Sequence, residues 1–147
     1  MLAAMPDWGH AIAQLNALIA AKMGVAATDL DALDALARHG PDTAASLAKR
    51  VDLTSGSISR MIDRLVNVGC VRRIPDENDR RRVLLETTEE GLARVRSYWA
   101  GLATCTRSDL ETFTTAELDI IQRFIDQARD STISELDHLR TRPIADL

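Results

Sequence analysis

The stretch GSISRMIDRLVNVGCVRRIPDENDRRRVLLETTEEG, residues 56–91, changes its hydrophobic period partway along, and that change decides the fold. In its first third Ile58, Met61, Ile62, Leu65 and Val66 recur at steps of three and four, which lines one buried face of an α-helix. Past Gly69 the period falls to about two. Residues 71–74 and 82–87 therefore read as short strands, joined by the charged loop PDENDRR at residues 75–81.

Upstream, Val51-Asp52-Leu53-Thr54 reads as a tight turn, with Thr54 as N-cap of the helix that follows it. A short helix from about Thr43 to Val51 precedes the turn, with Leu47, Ala48 and Val51 inward, so the pair forms a helix-turn-helix. Further back, Thr28 can cap a helix that carries Leu30, Leu33 and Leu36 inward until His39-Gly40-Pro41 stops it. The first helix is expected from near Asp7, with Trp8, Ile12, Leu15 and Ile19 on one face and Gly24 as its end. Downstream, Thr88 can cap a fifth helix with Leu92, Val95, Trp99 and Leu102 on one stripe. The sixth opens on the capping box Thr114-Thr115-Ala116-Glu117 and runs through Leu118, Ile121, Ile125 and Ala128 to Leu136 and Leu139. Both stripes are flanked by charge, as suits helices that pack on partner helices. The fold class is mainly α with a small β-hairpin, in one domain.

Composition agrees. The 147 residues are 46% hydrophobic and 3% aromatic, so the core is built from Leu, Ile, Val and Ala, a mixture that favours helix. Two cysteines, Cys70 and Cys105, give neither a disulfide framework nor a zinc spacing, and buried, inert thiols are expected at both. The sequence has no signal-like N-terminus and no apolar run near the ~18 residues that cross a bilayer, so a soluble, cytoplasmic protein with no membrane association is expected.

The net charge of −4 argues against a nucleic-acid partner until it is mapped. Between Arg38 and Arg82, ten Lys/Arg stand against six Asp/Glu, so that segment carries +4 and the remainder −8. A cationic middle between acidic ends suits a local DNA footprint.

The outward face of the fourth helix supplies that footprint with readers. Ser55, Ser57 and Ser59 keep its N-terminal end slim enough to approach base edges. Arg60 is long enough to form two hydrogen bonds to guanine, and Arg64, one turn on, suits a phosphate. The hairpin adds Arg72 and Arg73 in its first strand and Arg80, Arg81 and Arg82 at and after its tip, so five guanidiniums are expected on a thin ribbon that fits a minor groove. Asp79, in the same loop, can orient one arginine by a bidentate pair.

Residues 56–91 resemble the recognition helix and wing of the MarR (multiple antibiotic resistance regulator) family. The family's Asp-x-Arg signature is matched by Asp79-Arg80-Arg81, and its Thr-x-x-Gly by Thr88-Glu89-Glu90-Gly91. Thr87 and Cys70 depart from the usual pattern, which has Leu and a larger apolar residue there. The resemblance implies a winged helix-turn-helix at 28–87, with dimerisation helices at 1–27 and 88–147. It implies a homodimer that places two such motifs on a pseudo-palindromic operator in double-stranded DNA. By position, Ser57, Ser59 and Arg60 resemble the major-groove readers and Arg81 the minor-groove arginine held by Asp79; Arg73 and Arg80, from their places on the hairpin, are expected as further DNA contacts.

Most members of the family are repressors released by a small aromatic or phenolic effector, for which Trp8, His10, Tyr98 and Trp99 are the candidate contacts. No cofactor or metal is expected, since His10, His39 and His138 are scattered and no P-loop, GxGxxG or His/Cys helical pair occurs. An enzyme is the poorest fit. The alternative is a helical dimeric protein-interaction module without specific DNA recognition, which leaves the arginines of the hairpin unexplained.

Overall fold

The computed structural model describes residues 4–141, which form six helices and a two-stranded antiparallel sheet. In chain order these are α1 (Ala4–Met23), α2 (Ala27–His39), α3 (Ala44–Arg50), α4 (Ser55–Asn67), β1 (Val71–Pro75), β2 (Val83–Thr87), α5 (Glu89–Leu110) and α6 (Thr115–Thr141). The chain divides into two compact units, one up to Ala100 and one from Gly101 onward.

The core of the first unit is aliphatic. Ile19 and Met23 of α1, Leu33 and Leu36 of α2, Leu47 of α3, and Ile58, Met61 and Leu65 of α4 are buried together with Cys70, Val71 and Leu85 of the hairpin. Val95 and Trp99 of α5 pack against this cluster from its edge. Val51 and Val66, expected inside, are only half-buried: Val51 follows α3, where the chain already turns, and Val66 is the next-to-last residue of α4.

The helix starts follow local chemistry, with one correction. Thr43 and Thr54 accept backbone N–H groups of Ser46 and Ser57, as N-caps do. Thr28 does not cap α2. The N-cap position is Ala26, whose N–H is taken instead by the Asp29 carboxylate reaching back at 2.9 Å. Asp52, in the turn between α3 and α4, has φ +54°, a left-handed conformation that Asp tolerates better than most residues.

The hairpin is held on both sides. Within it Val71 pairs with Thr87 and Pro75 with Val83. On its outer side Asp42 bridges Leu85, with N–H to O distances of 3.1 and 2.8 Å, so the loop before α3 acts as a one-residue third strand.

At its base, Thr88 donates to the Gly69 carbonyl at 2.6 Å and accepts the Gly91 N–H at 3.0 Å, tying β2, the end of α4 and the start of α5 together. The Thr-x-x-Gly spacing has its reason here. A Cβ built on Gly91 would stand 2.5 Å from the Cys70 Cα and 2.8 Å from the Thr88 hydroxyl. Gly91→Ala must push backbone from backbone, and is expected to lower stability by about 2 kcal/mol in a urea melt.

The second unit is built differently. None of the described residues of α6 is buried, and Ile120, Phe124, Ile125, Ile133, Leu136 and Leu139 each expose 42–56% of their surface. The capping box forms as expected, Glu117 accepting from both the N–H and the hydroxyl of Thr114 at 2.8 and 2.7 Å. Cys105, expected to be buried, is exposed, because α5 buries no residue after Gly91. No single described helix is long and apolar enough to cross a membrane.

Candidate nucleic-acid interface

The N-terminal end of α4 is slim and polar. Ser55 and Ser59 are exposed and Ser57 is half-buried. The Ser59 hydroxyl donates to the Ser55 carbonyl at 3.1 Å, and the Ser57 oxygen accepts the Thr54 hydroxyl at 3.1 Å. Ser59 therefore turns its lone pairs outward, an acceptor suited to the amino groups of adenine or cytosine. Arg60 is exposed, and among the described residues its guanidinium makes no hydrogen bond or ion pair.

Arg64 is placed otherwise than the sequence suggests. Its Nε and one Nη donate to the two oxygens of Asp29 at 2.9 and 2.7 Å. Asp29 is fully buried, so this fork neutralises a carboxylate inside the protein and fastens α4 to the first turn of α2. The same hydrogen bond favours the charged form of Arg64. Sequence reasoning missed Asp29 as a clamp, since an acid in a first helical turn reads simply as a partner for the helix dipole.

The wing divides its five arginines into two classes. Arg72 is spent on Glu86, its cross-strand neighbour, at 2.6 Å. Arg73 reaches Asp63 on α4 at 2.7 Å and so braces the wing against the recognition helix. Arg82 lies 3.7 Å from Asp76. Arg80 and Arg81 remain, both exposed and, among the described residues, with no side-chain partner.

Asp79 also acts differently from the expected bidentate pair. Its carboxylate accepts the backbone N–H of Arg81 at 3.0 Å, and its carbonyl accepts that of Arg82 at 2.8 Å. The reason is geometric: two residues apart in a tight turn, the acid is within reach of the backbone before the guanidinium. Asp76, which the sequence reading passed over, is buried and organises the loop, accepting the Asn78 N–H at 2.9 Å.

Asp42 links this surface to the rest of the unit, bonding Arg50 at 3.0 Å and the Thr43 N–H at 2.8 Å. Burial works against its ionisation, but hydrogen bonds from Ser46, Arg50 and Thr43 outweigh that and hold its carboxyl below the usual range. A depressed folded-state pKa gives stability that is complete above the ordinary aspartate pKa and is lost as pH falls through the folded value. Thermal melts of Asp42→Asn are accordingly expected to fall less steeply than the parent below about pH 4.

A cavity of about 530 Å³ lies behind the interface, between α2 and α5 with Asn16 of α1 at its edge. Leu30, Asp31 and Asp34 of α2 face Leu92, Arg96 and Trp99 of α5 across it. Of the four candidate effector contacts, Trp99 lines this space. Trp8 and His10 are exposed on the first turns of α1, short of Asn16, and neither is in the lining. Tyr98 precedes Trp99 on α5 and is turned about 100° away from it.

Comparison with known proteins points the same way. Residues 23–82 match the model of the MarR family. The uncharacterized HTH-type transcriptional regulator YcgE of Bacillus subtilis is 34% identical over 118 residues, 80% of this chain and 77% of its own. The HTH-type transcriptional repressor NicR of Pseudomonas putida is 39% identical over 61 residues, 42% of this chain and 39% of its own. Among solved structures, a mutant of S. aureus MepR bound to an oligodeoxyribonucleotide shares the fold, with a TM-score of 0.62 and 16% identity over 86% of this chain and 94% of that one. A slim helix end, an adjoining arginine-tipped hairpin and a relative matched over most of its length agree, and the chain belongs to the MarR family of winged helix-turn-helix transcriptional regulators.

Proposed function

We propose that this regulator works in the cytoplasm as a homodimeric repressor. It holds a pseudo-palindromic operator and lets go when a small molecule fills the cavity between α2 and α5. The observation that carries the reading is the division of the arginines: Arg60, Arg80 and Arg81 are left unpaired, among the described residues, on two elements that the Arg73–Asp63 bridge holds together. Unpaired guanidiniums on a braced helix and ribbon suit a duplex, the helix end for base edges and the tip for the adjacent minor groove.

Dimerisation is supported by the apolar side chains that α6 leaves in water, a stripe too continuous for a helix without a partner. Repression is supported by the relative named as a repressor, and duplex binding by the neighbour that holds an oligodeoxyribonucleotide.

Selection of bound duplex from random sequence tests the reading. It is expected to return an inverted repeat with half-sites about one helical turn apart, bound with an affinity that drops steeply between low and physiological salt. Equal, weak attachment to every duplex would rule the reading out.

A further inference from the structure

We infer that the cavity between α2 and α5 selects an aromatic organic cation, an amine or quaternary ammonium, over an aromatic acid. The inference rests on the reading of this cavity as the effector site and adds the charge of its ligand. The α2 wall carries Asp31 and Asp34, one helical turn apart on the same face. Asp34 is engaged by Arg38 at 2.7 Å, on the solvent side, where both side chains are more than half exposed. Asp31 has no hydrogen bond or ion pair among the described residues.

Asp31 is thus a carboxylate at the rim of an apolar space with no cation set against it. Asp31 is exposed toward solvent, and partial burial, then the neighbouring Asp34 charge, raise its carboxyl above the usual range.

The opposite wall suits the same ligand. Trp99 lines this wall, and an ammonium group near an indole gains attraction that a carboxylate does not. Arg96 is the one basic residue in the lining, and its Nε is bonded back to the Leu92 carbonyl at 3.2 Å. It also borders the neighbouring depression, where Glu86, Glu89 and Glu90 outnumber the two arginines. Arg96 thus borders acids on that side as well, while Asp31 has no bonded partner among the described residues.

The experiment uses the full chain carrying Trp8→Phe, which leaves Trp99 as the only tryptophan and its fluorescence as the readout. Three probes share one ring and one chain length: 4-phenylbutylammonium, 4-phenylbutanol and 4-phenylbutyrate. The amine is expected to bind about tenfold more tightly than the acid, with the alcohol between them. Asp31→Asn is expected to remove most of that gap while leaving the affinity for the alcohol unchanged.

If the acid bound as tightly as the amine, the charge assignment would be overturned and the cavity would still stand as an effector site. A preference for the amine that persisted in Asp31→Asn would overturn the assignment to Asp31. If none of the three probes altered Trp99 fluorescence, the effector reading would fall and the inference with it.

Discussion

Arg64→Ala is expected to cost about 3 kcal/mol of folding stability, because it strands a fully buried carboxylate. The value is set by asymmetry. Arg64 keeps much of its own side chain in water and can be solvated when unpaired, whereas Asp29 has no exposed surface and would keep only the Ala26 N–H. For a chain of this size the loss corresponds to a midpoint lowered by roughly 6–12 °C.

Two further variants separate this reading from the phosphate contact that the sequence suggested. Arg64→Lys preserves the charge a phosphate needs but not the two-pronged geometry of the clamp, so it is expected to melt nearly as early as Arg64→Ala. Asp29→Asn combined with Arg64→Met removes both charges and is expected to recover part of the stability. A midpoint unchanged in Arg64→Ala would sink the clamp.

The second large effect concerns DNA. The paired change Arg80→Ala and Arg81→Ala is expected to lower operator affinity about a hundredfold at low salt and to flatten its salt dependence. Neither guanidinium has a partner among the described residues, so the melting midpoint is expected to stay with the parent. Arg72→Ala is the control. That side chain is held by Glu86, and its loss is expected to change affinity only slightly. Gel-shift titrations in which the Arg80 and Arg81 variant matched the parent would show that the tip does not reach a groove.

These expectations also mark where the sequence was legible. Every helix and both strands could be read from it, because hydrophobic period and capping residues are local signals: α4 with its Thr54 cap and α6 with its Thr114 and Glu117 box formed where they were expected. The pairing of charges was not legible. Which arginine is free depends on strand register, as with Arg72 and Glu86, or on partners far apart in the chain, as with Arg64 and Asp29, 35 residues distant.

The start of α2 shows the same limit on a smaller scale. Thr28 is the better cap by residue type, yet the N-cap position falls on Ala26, whose N–H the buried Asp29 carboxylate collects along with the other donors in its reach. The lining of the cavity was not legible for a related reason. Aromatic character singled out Trp8 and Tyr98, but the lining of a cavity is decided by which faces of α2 and α5 oppose one another, and that depends on packing.

The hairpin's base is fixed on one flank by β-pairing and on the other by the Asp42 bridge, while residues 77–81 beyond it are exposed. Mutational drift can therefore lengthen, trim or recharge this fingertip at little cost to folding. On the proposed reading, a lineage built on such a plan would change which promoters it occupies by editing a handful of codons, with the rest of the molecule left as it was.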